Sequence, residues 1–308
     1  MLRRGSIVSL LVPGLCLLAA CDDGSGGGDL GAGGAASGGG AAVGGSPSAG
    51  GTASGGSSNP ELPEPDDGVA PEREGFTLLW HDGFDTLDSS RWQAGTHTFT
   101  ENAAQFGAEQ VSVAEGYLKL SLVPLTTPSA ENRQLGGAEL RTLESFGHGR
   151  FETRARFASG SGVVSSIFTY YDHWADASLP ENWNEIDVEF LGKDNAGVQF
   201  NVIHWNAQNQ RTTHEKHHGT GFDPSAEFHD YAIEWLPDVV RFYVDEQLVH
   251  EQTDAIAQFL TLDQKLMMNV WAVMDTPALE AWAGKFESSS LPTAAYYDWV
   301  RVYSYDGP

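Results

Sequence analysis

Short runs of alternating apolar and polar residues recur from about residue 75 to the end of the chain, and this period of two predicts β-strands. Gly, Pro, Asn and Asp separate the runs, whereas helical patterns are scarce and only "DAIAQFL" (254–260) suggests a short helix or turn. The pattern predicts an all-β fold, an antiparallel sandwich or barrel, with a hairpin around Asp245–Glu246. The predicted strands are "GYLKLSL" (116–122), "GRFETRARF" (149–157), "VVSSIFTYY" (163–171), "EIDVEF" (185–190), "VQFNVIHW" (198–205), "YAIEW" (231–235), "VVRFYV" (239–244), "KLMMNVW" (265–271) and "AYYDWVRVY" (295–303).

One stretch, "NEIDVEFLG" (184–192), carries acids along what is otherwise a core strand. Glu185, Asp187 and Glu189 alternate with apolar residues, so the three carboxylates should share one face while the other face enters the core. Like charges in such a row repel each other, and Asp and Glu are poor strand formers. The arrangement favours a chemical role for the acids.

The spacing of the two glutamates suits acid–base chemistry on a sugar. Glu185 and Glu189 are four residues apart, which is about 13 Å between Cα atoms in a strand. On a twisted, concave sheet these long side chains can lean together towards the roughly 5–5.5 Å that suits a retaining glycosidase. Proximity would also separate their pKa values, leaving one carboxylate as a nucleophile and one protonated acid.

Spacing alone leaves two other interpretations open. A solvated edge strand can carry acids on its outer face, although it would not need the tryptophans that cluster around these ones. A calcium site can use carboxylates, although its ligands usually lie on an irregular loop.

The first 74 residues differ in composition from the rest. Residues 1–20 combine a basic start (Arg3, Arg4) with a short apolar run, which is typical of an export signal and too short for a membrane span. The run ends in "LAAC", which resembles the lipobox of bacterial lipoproteins and implies cleavage before Cys21 and lipid on its thiol. The alternative is a plain signal peptide with an incidental cysteine. The protein is therefore expected to be exported and anchored to a membrane of the cell envelope.

Residues 21–74 are rich in Gly, Ser and Ala, and 16 of the 36 glycines lie between Gly24 and Gly56. Such a segment cannot bury enough surface to fold, so it should be a flexible tether. Residues 75–308 contain all nine tryptophans and should form one domain. Because Cys16 would leave with the signal, no disulfide is expected.

The net charge of −25 changes the range of expected partners. Phosphate binding needs clustered Lys and Arg, so nucleic acid is not expected. Polyanionic sugars are disfavoured for the same reason, and a neutral partner fits better. We expect a monomer.

Several segments occur in the order found in one known family. The acidic strand has the form E-[aliphatic]-D-x-E, with no extra residue before the last Glu. With these segments, residues 75–306 resemble glycoside hydrolase family 16, and most closely its bacterial lichenases (endo-1,3-1,4-β-glucanases). The further matching segments are "GGAELRT", "GVVSSIFTY", "VQFN", "HEKHHGTGFD", "FHDYAIEWLPDVVRFYVD", "KLMMNVW" and "YYDWVRVYSY".

The resemblance implies a curved, concanavalin A-like jelly-roll sandwich with a cleft across its concave sheet. It makes Glu185 the nucleophile, Glu189 the general acid/base and Asp187 an assisting group between them. The implied reaction is retaining endo-hydrolysis of a 1,3-1,4-β-glucan by double displacement. It needs no cofactor.

The resemblance also implies binding residues and a structural metal. Trp183 and Trp271 match aromatics that stack on sugar rings, although either could be a core residue. A calcium ion would be held by Asp298 and by backbone carbonyls near Asp82 and Gly116, and a metal-free salt bridge at Asp298 is the alternative. The implied polar cleft residues are Glu139, Arg141, Tyr170, Asn201 and Asn269, of which the first two could instead form a surface ion pair.

Some features keep other functions open. The histidines of "HEKHH" (His214, His217 and His218) could indicate a metal site, but histidines in a polar hairpin are more often solvated, and the same stretch in family members binds none. The chain departs from lichenases after "QFN" and in the longer stretch 170–183. A xyloglucan hydrolase or transglycosylase is therefore the alternative within the family. Outside the enzymes, the alternative is a sugar-binding lectin-like domain, which would typically have lost one glutamate.

Overall fold

The computed structural model describes residues 62–66, 68–174 and 178–307. The chain divides into two units, and the second, Glu64–Pro308, carries every element given below. The expected signal peptide, the lipidated Cys21 and most of the expected tether lie outside the described residues and stay predictions. In the described ranges no helix is long and apolar enough to cross a membrane.

Strands dominate the described part of the second unit, and the all-β prediction is confirmed. The strands are β1 (Phe76–Asp82), β2 (Trp92–Ala94), β3 (Ala104–Phe106), β4 (Val111–Ala114), β5 (Tyr117–Pro124), β6 (Leu135–Thr142), β7 (Gly149–Arg156), β8 (Val163–Tyr170), β9 (Asn184–Leu191), β10 (Gly197–Trp205), β11 (Arg211–Thr213), β12 (Lys216–Gly219), β13 (His229–Trp235), β14 (Val240–Val244), β15 (Gln247–Gln252), β16 (Lys265–Ala272) and β17 (Thr293–Tyr305). The helices are α1 (Ile256–Phe259) and α2 (Pro277–Ala283), and short 3-10 turns lie at Ala108–Gln110 and Ser288–Ser290.

The strands form two sheets that β5 and β6 join at one edge, and the pairing is antiparallel except between β3 and β6, which run parallel. The front sheet has the order β2–β6–β16–β8–β9–β10, and both β11 and β12 pair with β10. The back sheet has the order β4–β5–β17–β7–β13–β14–β15, and β1 also pairs with β17. The acid-bearing strand β9 is therefore an interior strand of the front sheet, flanked by β8 and β10.

The main core lies between the two sheets and fixes how they stack. Phe190 of β9 stacks on Phe157, which follows β7, with ring centroids 5.9 Å apart. Phe200 of β10 stacks on Phe242 of β14 at 4.6 Å. Because these rings have almost no exposed surface, the inner side of the front sheet is held directly against the back sheet.

The compact unit begins at Glu64, before the predicted boundary at residue 75. Residues 64–66 and 68–74 form an N-terminal strap whose backbone and side-chain groups find partners on the back sheet. Arg73 contacts Glu152 of β7 at 2.7 Å. Three hydrogen bonds link the strap to β17: from the Asp66 N–H to the Asp298 carboxylate (3.0 Å), from Arg301 to the Gly68 carbonyl (3.1 Å) and from the Tyr303 hydroxyl to the Pro71 carbonyl (3.0 Å).

Asn184 fixes the start of β9. Its side-chain oxygen accepts hydrogen bonds from the N–H groups of Thr261 (2.9 Å) and Leu262 (3.0 Å), and its amide nitrogen donates to the Phe259 carbonyl (2.8 Å). The side chain has no exposed surface. A single buried amide thus holds the loop after α1 against the strand that carries the three acids.

Candidate active site

The three acids of β9 lie on the outer face of the front sheet. Ile186 and Val188 between them are fully buried in the core, so the alternation turns Glu185, Asp187 and Glu189 the other way. Asp187 retains 5% of its surface, whereas the two glutamates on either side are half-buried. The carboxyl groups are thus largely dehydrated but accessible from outside.

The strands beside β9 place polar and aromatic groups directly opposite the acids. On β8, Tyr170 is opposite Glu185 and Ser166 is opposite Glu189. On β10, Asn201 is opposite Asp187, and Gln199 is opposite Glu189. Directly opposed residues share a face of the sheet, so all of these side chains belong to one surface.

A side-chain hydrogen bond links Glu185 and Asp187. Burial raises the pKa of both, and the charges of Glu185 and Glu189 raise the pKa of Asp187 well above its usual range. The hydrogen bond between Asp187 and Glu185 favours the proton on Asp187 and the charge on Glu185. Within this pair, Asp187 is therefore the hydrogen-bond donor and Glu185 the acceptor.

The surroundings of Glu189 favour its protonated form. Burial, followed by repulsion from Glu185 and Glu215, raises the pKa of Glu189 to about 8. Gln199 donates a hydrogen bond to one carboxyl oxygen of Glu189 at 3.1 Å, which lowers that pKa by a smaller amount. Glu189 is therefore protonated near neutral pH.

Trp183 and Arg211 stabilise the charge on Glu185. The indole N–H of Trp183 donates to Glu185 at 2.6 Å, and the Arg211 guanidinium lies 4.7 Å above the Trp183 ring. Both groups lower the pKa of Glu185 against the effect of its burial, Arg211 being the larger influence. The two glutamates thus differ in their surroundings in a way that assigns them different chemistry.

Comparison with known proteins identifies the family of this chain. The sequence profile described as "Glycosyl hydrolases family 16" matches residues 90–300, which include the whole acidic strand. The chain belongs to glycosyl hydrolases family 16. It is a glycoside hydrolase with the jelly-roll fold that the sequence predicts.

Individual relatives of the family 16 domain are beta-glucanases. The Brevibacillus brevis beta-glucanase is 38% identical over 237 residues, which are 75% of this chain and 84% of that protein. Two solved structures are each 32% identical. The Bacillus licheniformis beta-glucanase covers 76% of this chain and 99% of its own, with a TM-score of 0.62. A beta-1,3-1,4-glucanase (lichenase) from a mouse hindgut metagenome covers 73% and 98%, with a TM-score of 0.64.

The expected cleft residues on β6 and β16 lie on the face that carries the acids. Glu139 is opposite Asn269, which accepts a hydrogen bond from Ser166 at 2.7 Å. Burial raises the pKa of Glu139 to about 7. Arg141 pairs with Asp172 at 2.9 Å, a partner that the sequence did not reveal because it lies in the loop after β8.

The other expected binding residues differ in how open they are. Tyr170 packs edge-on against Trp183, with ring centroids 5.7 Å apart, beside Glu185. Asn201 uses its side-chain oxygen to accept the His214 N–H at 3.0 Å. Trp271 belongs to a second apolar cluster, packs edge-on against Phe99 at 5.0 Å and is 7% exposed. Trp271 therefore offers little of its ring to a ligand.

Sequence reasoning missed two residues that contact this site. Gln199 lies two residues before Asn201 on the same strand, so the period of two could have placed it on the same face. Arg211 gives no such signal, because it reaches Trp183 only when β11 folds back onto β10.

The three histidines of "HEKHH" do not converge. His214 contacts the ring of the buried His204 at 3.1 Å, His217 contacts Asp194 at 2.9 Å, and His218 stacks on Phe200. Within the described ranges no group of His, Cys, Asp or Glu side chains could hold a metal ion.

The residues around Asp298 do not fit the calcium ion that the resemblance implies. Both carboxyl oxygens of Asp298 accept the Asp66 N–H, at 3.2 and 3.0 Å, and the Arg154 guanidinium lies 3.3 Å from one of them. Pro65 packs so closely on Gly116 that a Cβ there would lie 2.6 Å from its ring. An N–H donor and a cationic side chain already contact the carboxyl oxygens that would ligate a calcium ion, which matches the salt-bridge alternative.

Calcium should therefore leave the thermal stability of the protein unchanged. We expect the same melting temperature in calcium and in a chelator. Arg154→Met should lower the free energy of unfolding by about 1–3 kcal/mol, because it leaves the buried Asp298 with fewer partners. Lys285→Met, which removes an exposed ion pair with Glu280, is the control and should cost roughly 0–1 kcal/mol. A melting temperature several degrees higher in calcium would contradict this assignment.

Because the pKa of Glu189 is raised, the free energy of unfolding of the protein should depend on pH. The unfolded chain releases this proton near 4.5, the ordinary pKa of a glutamate, whereas the folded protein holds it up to about 8, so stability falls as the pH rises across that window. Glu189→Gln removes the ionisation. We expect it to leave the melting temperature nearly unchanged at about pH 4 and to raise it by a few degrees at about pH 8.

The matched control for Glu189→Gln is Glu109→Gln, which changes an exposed carboxylate and should shift the melting temperature little at either pH. Thermal unfolding followed by circular dichroism at both pH values checks the prediction. If Glu189→Gln shifted the melting temperature equally at the two pH values, Glu189 would not retain its proton in the folded protein as described above.

Proposed function

We propose that the protein is a retaining endo-β-glucanase that cleaves 1,3-1,4-β-glucan by double displacement, with Glu185 as nucleophile and Glu189 as general acid/base. The observation that carries the proposal is the difference between the surroundings of the two glutamates on one accessible face. Trp183, Arg211 and Asp187 favour the charge on Glu185, whereas burial and repulsion keep the proton on Glu189.

In the first step, the Glu185 carboxylate attacks the anomeric carbon of the bound sugar. The bond from that carbon to the glycosidic oxygen breaks, and the departing oxygen takes the proton from Glu189. The product is a glycosyl ester on Glu185 and an ionised Glu189. Asp187 holds the attacking carboxylate in place through their shared hydrogen bond.

In the second step, Glu189 acts as a base. It takes a proton from water, the water oxygen attacks the anomeric carbon, and the ester bond to Glu185 breaks. Glu185 returns to the carboxylate form and Glu189 to the acid form, so the enzyme is regenerated. Two inversions at one carbon give net retention of configuration.

The substrate class follows from the surface and from the relatives. A chain with a net charge of −25 suits a neutral polysaccharide better than a polyanionic one. The relatives described above are named beta-glucanase and lichenase. Ile203, opposite Glu185, stands in the segment where the sequence departs from lichenases, so a xyloglucan remains the alternative substrate.

Azide rescue tests the roles of the two glutamates. Glu185→Ala should lose activity by several orders of magnitude, and azide should restore turnover of an activated aryl β-glycoside and yield an α-glycosyl azide. Glu189→Ala is the matched variant. It retains the nucleophile, so azide should attack the glycosyl ester and yield the β-glycosyl azide. If Glu185→Ala gave the β-glycosyl azide and Glu189→Ala the α-glycosyl azide, the two assigned roles would have to be exchanged. A product of inverted configuration from the wild-type enzyme, detected by NMR, would exclude double displacement.

A parallel product analysis tests the substrate. We expect the highest kcat/KM on mixed-linkage 1,3-1,4-glucan, with oligosaccharide products of internal cleavage, when laminarin, xyloglucan and carboxymethylcellulose are assayed under the same conditions. Faster release of reducing sugar from xyloglucan would favour a xyloglucan hydrolase. Transfer of glycosyl units to added xyloglucan oligosaccharides would favour a transglycosylase. Binding of any of these polymers without release of reducing sugar would contradict a hydrolytic role.

A further inference from the structure

Trp174 exposes its indole at the Glu185 end of the front sheet. The side chain is 67% exposed, and it is the only aromatic among the strongly exposed large hydrophobic residues of the described ranges. An exposed ring of this size forgoes the stabilisation that burial would give. Trp174 belongs to the stretch 170–183, which is longer than its lichenase counterpart.

The indole is exposed but not free to rotate. Its N–H donates to the hydroxyl of Tyr170 at 3.0 Å, and its ring lies 4.5 Å from the ring of the buried His173. One contact holds the nitrogen edge, and the other holds part of the ring surface. A side chain already fixed in this way loses little conformational entropy when a ligand binds.

Trp174 is continuous with the candidate active site through a chain of ring contacts. Tyr170 accepts the hydrogen bond from Trp174 and packs edge-on against Trp183, with ring centroids 5.7 Å apart. The indole N–H of Trp183 in turn donates to the Glu185 carboxylate. Tyr170 and Glu185 are directly opposed across β8 and β9, which puts their Cα atoms about 4.5–5.5 Å apart. In this series of contacts two aromatic residues, Tyr170 and Trp183, separate Trp174 from the group proposed to attack the substrate.

The chemistry of this position suits a neutral sugar ring. A pyranose presents an apolar C–H face that packs on a flat aromatic surface. Asp172, two residues before Trp174, contacts Arg141 at 2.9 Å and Lys265 at 3.7 Å. A charged substituent on the ligand is therefore not needed to balance the charge of Asp172.

We propose that Trp174 is the platform of an additional sugar-binding subsite, which binds a glucosyl unit of the polymer further from the scissile bond than the units at Tyr170 and Trp183. The proposal rests on the glucanase function proposed above. It makes the loop after β8 a determinant of how the enzyme discriminates long chains from short ones.

Binding as a function of chain length tests the subsite. The full-length Glu185→Gln protein should bind mixed-linkage gluco-oligosaccharides, from trisaccharide to heptasaccharide, without turning them over. Adding Trp174→Ala should weaken binding of the longest oligosaccharides by about tenfold, as titration calorimetry measures it, and leave the shortest unchanged. Trp174→Phe retains a flat ring and should recover most of the affinity. In the otherwise wild-type enzyme, Trp174→Ala should lower kcat/KM for the polymer and not for short aryl glycosides.

Leu179→Ala is the matched control, because it shortens another exposed apolar side chain of the same loop (39% exposed) and should change neither binding nor kinetics. Equal loss of affinity for short and long oligosaccharides would mean that Trp174 acts by orienting Tyr170, and an unchanged affinity would mean that the indole binds no sugar. Either result overturns the subsite alone. Failure of the Glu185→Gln protein to bind any of these oligosaccharides would overturn the glucanase function and the subsite with it.

Discussion

Three carboxyl groups on one face of β9 cannot all be ionised in the half-buried space that they share. Their repulsion, added to the loss of hydration, requires that protons remain on some of them near neutral pH. The surroundings decide which ones. Trp183 and Arg211 stabilise the charge on Glu185, and the groups around Asp187 and Glu189 favour the neutral acids. The different roles proposed for the two glutamates follow from this difference in protonation.

The rest of the fold keeps the three groups close despite their repulsion. β9 is an interior strand, so hydrogen bonds to β8 and β10 fix its backbone on both sides. Its apolar side chains are packed against the back sheet. Its first residue, Asn184, is hydrogen-bonded to the loop after α1. A strand held on all sides cannot relieve the repulsion by moving, and the strain appears as raised pKa values instead.

Local patterns in the sequence predicted nine of the strands and the orientation of the acids, but not strands β1–β4, β6, β11 or β12. Period-two alternation predicted the core side of β9, and the hairpin at Asp245–Glu246 is present with both residues at positive φ. Helix α2 was not predicted, although Thr276 caps it, Pro277 begins it and Gly284 follows it. At seven residues it is too short for helical periodicity to be visible.

What local patterns could not supply are contacts between segments far apart in the chain. Arg211 approaches Trp183 through a hairpin, Asp172 meets Arg141 across the sheet, and the strap joins β17 across the 232-residue separation of Asp66 and Asp298. The start of the compact unit at Glu64, earlier than predicted, also depends on such long-range contacts. Composition marks residues 64–74 as linker-like, yet their backbone groups find fixed partners.

The position of the strap has a consequence for access by a polymer. It attaches to the outer side of the back sheet, whereas the acids open on the outer side of the front sheet, so the described residues of the strap lie on the side remote from the carboxylates. A glucan strand lying across β9 would therefore not be obstructed by the strap.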